Sequence, residues 1–314
     1  MTILNSEKHS YQLIDDWGIP PKQHSFRESA GVAVDNEDNV WIFNIPTKQL
    51  LIFDTNGSLI KVWPHVYENI HGIDFDKSGC VYLVDRNFHQ VLKYSKHGEL
   101  IMSLGTHDIP SATGYSLEIG RNTSWKNPVK RPGKPFNVPS GVRLLKNGDI
   151  YVSDGYANCR IHRFSPDGNL IHSWGSPGKK ESGHFHLIHG LYIDSNDRIL
   201  VCDRMNNRIQ IFDLNGKIID IYSGLSMPSK IHENPDGDFV ITEHAGRVSI
   251  LNKAGQFIAR WGNGDGTIND AATGIFRKPH GCAVDSKGNI YIGSVTPDKK
   301  SLGSGDQIIK LLKI

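Results

Sequence analysis

The sequence contains little cysteine, and this scarcity excludes two classes of protein. Only 4 of its 314 residues are cysteines and none forms a Cys-x-x-Cys pair, which argues against a disulfide framework and against a cysteine-rich zinc module. The four lie within or beside predicted strands: Cys80, Cys159, Cys202 and Cys282. We therefore expect buried thiols in a reducing compartment.

Charge of one sign and long apolar runs are also lacking. Lys and Arg number 35 against 33 Asp and Glu, so the net charge of +2 does not favour a nucleic-acid or anionic-membrane partner. No apolar run approaches the roughly 18 residues that a membrane span requires. Residues 1–17 lack a basic segment followed by an apolar stretch, so we expect no signal peptide and a cytoplasmic location.

What the sequence does contain is a repeat of four short apolar runs. In its second copy these are GIDFD, CVYLVD, QVLKYS and ELIMSLG, and turn sequences such as KSG and KHG separate them. Alternating β-branched and aromatic residues between such turns predict antiparallel strands. A unit of about 40 residues with four strands is typical of a β-propeller. Six copies therefore predict an all-β, six-bladed propeller that forms a single domain over residues 1–314.

The last repeat supplies only three strands, GCAVD, NIYIGSV and QIIKLLKI. The fourth strand of other repeats ends in Trp-Gly, and YQLIDDWG (11–18) has the same ending with no repeat of its own before it. We expect this N-terminal strand to pair with the C-terminal one and to close the ring, which hides sheet edges.

Histidine recurs at one position of alternate repeats. The second residue of the first strand is, in order, Ala30, His71, Ser140, His189, Ser229 and His280. Alternate blades of a six-bladed propeller lie about 120° apart, so His71, His189 and His280 should point at one axis. Three neutral imidazoles with an open position suit catalytic zinc. The alternative for each histidine alone is a packed core or surface residue.

A second set of candidates follows the second strand of the repeats: Arg86, Tyr156, Arg204 and His244. An arginine there can bind a carboxylate bidentately, or else form a structural ion pair. A tyrosine beside a divalent cation can act as a base, or else line the wall of the site. The aspartates that precede these positions recur in one register, which favours a structural role in the turn: Asp85, Asp154 and Asp203.

The longest interruption lies between Gly105 and Pro139 and is rich in proline, glycine and serine. Long segments at such junctions are more often functional or disordered than accidental. We interpret it as an insertion over the mouth of the channel, with a solvated spacer as the alternative.

Three stretches resemble a known family: SDGYANCRIHRFSPDG (153–168), GHFHLIHGL (183–191) and CDRMNNRIQIF (202–212). They are similar to the core of peptidyl-α-hydroxyglycine α-amidating lyase, a six-bladed propeller of NHL repeats, and the resemblance extends over nearly the whole chain. It implies a zinc ion held by His71, His189 and His280. It also implies that Tyr156 is the base and Arg204 stabilises charge, in a reaction that cleaves a carbinolamide into an amide and glyoxylate.

The chain departs from that family at four positions. Ile45 stands where the family has a second active-site arginine, and Lys278 where it has a methionine. Gly281 replaces an aspartate that helps to bind a structural calcium, so the resemblance does not support a calcium site, and Ala157 replaces a disulfide-forming cysteine. The metal ligands are retained, which favours metal chemistry on another substrate, with Arg86 in place of the missing arginine.

These observations leave three functional hypotheses. The first is a zinc-dependent lyase that cleaves a small carbinolamide-like or carboxylate-bearing molecule, and another divalent transition metal remains an alternative to zinc. The second is a metal-dependent lactonase or other hydrolase, in which metal-bound water attacks a carbonyl. The third is a non-catalytic NHL scaffold that binds protein or RNA, and the balanced charge and the three histidines argue against it.

Overall fold

The computed structural model describes residues 2–14, 17–18, 29–115, 129–267, 272–295 and 308–314. Apart from one 3-10 turn at Arg204–Asn206, the regular elements in these ranges are β-strands. The strands form six sheets of four or five strands and one small two-stranded sheet. The fold class is a six-bladed β-propeller, which confirms the prediction from the repeats.

The chain divides into two compact units, and unit one comprises residues 1–67 and 229–314. Blade one has β3 (Ser29–Val34), β4 (Val40–Asn44), β5 (Gln49–Phe53) and β6 (Leu59–Val66). Blade five has β21 (Pro228–Glu233), β22 (Phe239–Glu243), β23 (Arg247–Leu251) and β24 (Phe257–Trp261). Blade six has β25 (Pro279–Val284), β26 (Ile290–Ser294), β27 (Ile308–Lys313), β2 (Ser10–Ile14) and β1 (Thr2–Asn5).

Unit two comprises residues 68–228. Blade two has β7 (Ile70–Phe75), β8 (Val81–Asp85), β9 (Gln90–Tyr94) and β10 (Leu100–Leu104). Blade three has β11 (Gly141–Leu144), β12 (Ile150–Asp154), β13 (Arg160–Phe164) and β14 (Leu170–Trp174). Blade four has β17 (Ile188–Ile193), β18 (Ile199–Asp203), β19 (Arg208–Phe212) and β20 (Ile218–Tyr222). The parallel pair β15 (Ser176–Pro177) and β16 (His184–Phe185) precedes blade four.

The two ends of the chain meet in the sheet of blade six. Strand β2 runs antiparallel to β27, with Tyr11 opposite Lys313, so the predicted pairing of the terminal strands is confirmed. The Tyr11 side chain is fully buried and meets Trp261 of blade five edge-on, with ring centroids 5.6 Å apart. An aromatic pair of this geometry contributes on the order of 1 kcal/mol beyond its buried area, so it helps to hold the N-terminal strand in the sheet.

Apolar side chains from facing sheets form the cores, as in unit two between blades three and four. Trp174, Phe185 and Phe212 lie there with Ile188 and Val201 of blade four. The thiols of Cys159, Cys202 and Cys282 are buried as predicted, whereas Cys80 is only half-buried, which differs from the prediction. Burial raises the pKa of Cys159 to about 12. The described residues contain no helix of the length and apolarity that a membrane crossing requires.

Candidate active site

Each of the three predicted metal ligands is the extra residue of a β-bulge. In blade two, Ile70 pairs with Asp85 and Gly72 with Val84, so His71 has no partner across the ladder. The same irregularity falls at His189 in blade four and at His280 in blade six. A bulge bends the strand and re-aims one side chain, and here it re-aims the imidazole. All three histidines are buried.

Backbone carbonyls orient two of these imidazoles. His71 Nδ1 lies 2.6 Å from the carbonyl oxygen of Ser140, and His280 Nδ1 lies 3.4 Å from that of Ala30. Because a carbonyl only accepts, each Nδ1 carries the proton and each Nε2 keeps its lone pair. Histidines that bind metals are usually held in this way. Ser140 and Ala30 occupy the position equivalent to the histidine in the next blade. They act through their backbone carbonyls, so their side-chain types do not reveal this role.

Unit two brings two of the ligands and the predicted base together. The rings of His71 and His189 lie 4.7 Å apart between centroids. The Tyr156 ring lies 5.3 Å from His71 and 5.5 Å from His189, and its hydroxyl is 3.1 Å from His71 Nε2. Two buried imidazoles whose rings converge, one of them with an unprotonated Nε2, fit a transition metal.

The position of Tyr156 follows from the turn that ends β12. Its backbone N–H donates to the carbonyl of Val138 at 3.3 Å, and its ring packs against Val138 and Leu187. Gly155 makes this approach possible, because a Cβ at that position would overlap the carbonyl oxygen of Ile188, the residue before His189. The turn of blade three therefore lies directly against the strand entry that carries His189.

The same type of backbone hydrogen bond places both arginines. The Arg86 N–H donates to the carbonyl of Asn69, two residues before His71, at 3.1 Å. The Arg204 N–H donates to the carbonyl of Leu187, two residues before His189, also at 3.1 Å. Each arginine is thereby fixed next to the histidine of its own blade, as the shared register predicts.

The guanidinium groups lie in a desolvated, positively charged environment. That of Arg86 stacks over the Tyr156 ring, with 4.1 Å between its central carbon and the ring centroid. The pKa of Arg204 is lowered to about 10, chiefly because the group is buried; the charge of Arg86 acts in the same direction, and Tyr156 opposes the shift. Arg204 keeps its proton at neutral pH, so the site holds two buried cations that an anion would stabilise.

The recurring aspartates anchor the segment in front of each first strand. Asp85 accepts from the N–H groups of Glu68 and Asn69 at 3.1 and 3.2 Å. Asp203 accepts from the N–H of His186 at 2.8 Å. These bonds fix the strand entries that carry His71 and His189, which is a structural role.

In unit one, His280 lies in the same kind of framework. The N–H of Val295 donates to the carbonyl of Lys278, two residues before His280, at 3.2 Å. His244, the other candidate in this unit, meets His280 edge-on with 5.9 Å between ring centroids. Ile45 leaves blade one with no guanidinium at the corresponding turn.

The long insertion reaches the predicted base on one side. Tyr115 is partly buried against the cluster of Val138, Tyr156 and Leu187. Residues 106–112 and 132–135 instead lie beside the outer strands of blade three. The middle of the insertion, 116–128, is outside the described residues, so its placement over the channel mouth stays a prediction.

The fold is that of a six-bladed β-propeller, and part of the chain matches a known repeat. The NHL repeat matches residues 136–164 and 185–212, which are blades three and four with the segments that lead into them. The resemblance to amidating lyases is confirmed by relatives of that name. The chain is 27% identical over 256 residues to peptidyl-alpha-hydroxyglycine alpha-amidating lyase 1 of Drosophila melanogaster, covering 72% of this chain and 43% of that protein.

Two other relatives differ in how much of them is matched. NHL repeat-containing protein 3 of Homo sapiens is 29% identical over 266 residues, covering 78% of this chain and 71% of that protein. Peptidyl-glycine alpha-amidating monooxygenase B of Xenopus laevis is 25% identical over 334 residues, covering 93% of this chain and 35% of that protein. The chain thus spans about a third of the Xenopus protein.

Solved structures show the same fold. A gluconolactonase from Xanthomonas campestris superposes with a TM-score of 0.65 and 12% identity, covering 100% of this chain and 98% of that one. A virginiamycin B lyase from Staphylococcus aureus gives 0.59 and 15%, covering 97% and 100%. At such identities the likeness supports the fold alone.

Proposed function

We propose that this chain is a metal-dependent lyase that cleaves a small carbinolamide-like substrate bearing a carboxylate. The observation that carries the proposal is the Tyr156 hydroxyl, 3.1 Å from His71 Nε2, in a cluster with a second histidine and two arginines. The relatives named as amidating lyases support the same reaction class.

We assign the metal to His71, His189 and His280. His71 and His189 converge in unit two, and His280 has the same register, the same bulge and the same orientation by a carbonyl in unit one. Zinc suits three neutral imidazoles and, when bound, would supply a Lewis acid for a substrate oxygen. The carbonyls of Ser140 and Ala30 hold the ligand tautomers.

Tyr156 is the proposed base. As phenolate it takes the proton of the substrate hydroxyl, the carbon–nitrogen bond of the carbinolamide breaks, and the oxygen becomes an aldehyde carbonyl. The departing amide nitrogen receives a proton, which Tyr156 can return. Its ring is fixed by Val138, Leu187 and the Arg86 guanidinium, so the hydroxyl oxygen is held in one place for both transfers.

Arg204 and Arg86 are the proposed carboxylate anchors. Both are buried, and the pKa of Arg204 is lowered because its charge is desolvated. A carboxylate would add a favourable charge interaction in this desolvated setting, and a guanidinium can bind it through two parallel hydrogen bonds. Arg86 thereby provides the second guanidinium that Ile45 of blade one does not.

A substrate screen tests this assignment on metal-loaded protein. The panel contains N-acyl-α-hydroxyglycines, ureidoglycolate and small lactones. Release of glyoxylate from a member of the first two groups supports the lyase. Turnover of lactones alone would contradict it and favour hydrolysis by metal-activated water.

Replacing Arg204 with lysine should not be conservative. Lysine keeps the charge but loses the planar fork, so one of two charge-assisted hydrogen bonds to the carboxylate is lost, on the order of 1.5–3 kcal/mol or about 10- to 100-fold in kcat/KM. Steady-state kinetics on the substrate found in the screen measure this. Arg86→Ala should act in the same direction more weakly. Arg198→Lys is the matched control, because Arg198 is a half-buried arginine that pairs with Asp194 in the turn between β17 and β18. Wild-type kinetics in both Arg204→Lys and Arg86→Ala would mean that the substrate is not held through an anion.

A further inference from the structure

Blade three contains a second group of potentially catalytic side chains, which have no part in the proposed lyase reaction. His162 on β13 pairs directly with Ser173 on β14, and its Nδ1 lies 2.8 Å from Ser173 Oγ. On the other side of the ring, Nε2 lies 3.3 Å from Asp154 Oδ2. A serine, a histidine and an aspartate are thus connected in series across three neighbouring strands.

The hydrogen-bond partners fix the protonation of this series. A carboxylate only accepts, so His162 Nε2 carries the proton and donates it to Asp154. Nδ1 then has a lone pair, and the Ser173 hydroxyl donates to it. Asp154 is held in place by the N–H of Asn137 at 2.9 Å and by the Asn158 amide at 2.6 Å. Asp154 and His162 are fully buried, which keeps the pair dry and oriented.

Ser173 opens on a surface cleft of about 670 Å³. Thr106 and the loop residues 109–112 and 132–135 form one wall, and Arg160 and Leu170 of the outer strands form the other. The Asn158 amide that contacts Asp154 also donates to the carbonyl of Lys134 at 3.0 Å, so the loop is attached to the same array. Ser173 and the loop attached to the array therefore line the same half-enclosed space.

The cleft is positively charged and offers hydrogen-bond donors. Lys134 and Arg160 line it, and the lining side chains that the structure describes include no carboxylate. Arg160 Nη2 donates to the Ser173 carbonyl at 2.8 Å, while its Nε and the Ser111 hydroxyl are buried without a hydrogen-bond partner among the described residues. The positive charges of Lys134 and Arg160 can stabilise negative charge on a molecule bound in this cleft.

Blades two and four lack this combination at the equivalent positions. Blade four has Gln210 and Ile221 at the positions of His162 and Ser173, and Gln210 donates to Asp203 at 3.1 Å. Blade two has Leu92 and Ser103 there, and Ser103 is bound by Gln90 at 2.8 Å. A hydrogen bond from the third strand to the aspartate that ends the second strand is thus present in blade four as well, which indicates a structural role for that bond. A histidine next to a serine that lines a cleft does not recur in these two blades.

We propose that Ser173, His162 and Asp154 form a second catalytic site, an esterase that prefers small carboxylic esters carrying a further negative charge. Ser173 Oγ bonds to the ester carbonyl carbon and the ester carbon–oxygen bond breaks. His162 takes the serine proton and passes it to the departing alcohol. Water then cleaves the acyl-serine, which releases the carboxylic acid and restores the hydroxyl. Arg160 and Lys134 bind the extra negative charge of the substrate.

Covalent labelling of the full chain with a fluorophosphonate, mapped by mass spectrometry, tests the nucleophile. Ser173 should be labelled, and His162→Gln should slow labelling by about 100-fold or more because the base is lost. This variant copies blade four and so keeps the fold. Ser103 is the matched control serine, and Ser103→Ala should leave the labelling of Ser173 unchanged.

Hydrolysis of two p-nitrophenyl esters tests the substrate class. The succinate half-ester should be cleaved faster than the neutral butyrate ester, Ser173→Ala should abolish both activities, and Arg160→Gln should remove the preference. Dialysis against a chelator should stop the proposed lyase reaction and leave this one intact, so the two proposals fail separately. Labelling of Ser173 no faster than Ser103, equal labelling in His162→Gln, or labelling without ester turnover would each overturn the second site.

Discussion

Replacing His71 with alanine is expected to strip the metal ion from the protein and to abolish the lyase activity. Loss of an outer-shell partner alone typically weakens metal affinity by about 10- to 100-fold, so loss of a direct ligand should cost about 100-fold or more. His189→Ala should behave in the same way, because the two rings lie 4.7 Å apart in unit two. Elemental analysis should find about one metal ion per wild-type chain and nearly none in either variant.

His280→Ala provides the decisive comparison for the third ligand. If the three equivalent bulges serve one ion, this variant should lose metal as completely as His71→Ala. The exposed His97 is the matched control, and His97→Ala should keep both the metal and the activity. A His71→Ala protein that retains one metal ion at wild-type affinity would contradict the assignment.

The repeat pattern made the fold predictable, because the four-strand repeat and the turn glycines are local features of sequence. The pairing of Tyr11 with Lys313 joins the two ends of the chain, and it was predictable only because the last repeat lacks a strand. The bulge at each histidine was not predictable. Whether a residue stands in the ladder or outside it depends on the register of two strands.

The composition of the site was more predictable than its geometry. Equivalent register identified His71, Tyr156 and Arg204, and the structure places these side chains together in unit two. The stacking of Arg86 on Tyr156 could not be read from the sequence, because the two residues are far apart in the chain and belong to different blades. The hydrogen bond from His71 to the Ser140 carbonyl could not be predicted either, since any residue at position 140 would supply a backbone carbonyl.

The contact between His162 and Ser173 could not be predicted from the sequence either. The RIHRF segment reads as an ordinary amphipathic strand, and Ser173 is one of many serines in outer strands. Only the pairing register sets the two side chains opposite each other, and only the fold of the insertion makes a cleft beside them. A search for sequence motifs does not find such a site, because strand pairing brings its residues together and each residue type is common in strands.

Tyr156→Phe is expected to lower turnover by about 10² to 10⁴, the usual contribution of a positioned general base. Phenylalanine retains the contacts with Val138 and Leu187 and the aromatic face over which Arg86 stacks, so packing and anchoring should persist. Only the oxygen next to His71 Nε2 is removed. The loss should therefore appear in kcat with little change in KM.

Single-turnover kinetics together with metal analysis separate this role from a structural one. The phenylalanine variant should bind metal as the wild type does, because His71 keeps its hydrogen bond to the Ser140 carbonyl. Tyr115→Phe is the matched control, since Tyr115 packs against the same cluster. Turnover in Tyr156→Phe equal to that of the wild type would reduce Tyr156 to a wall residue, and the proton would then have to leave through another group. If the variant loses turnover but keeps its metal, the hydroxyl acts in proton transfer. If it loses both metal and activity, the hydroxyl instead supports the metal ligands.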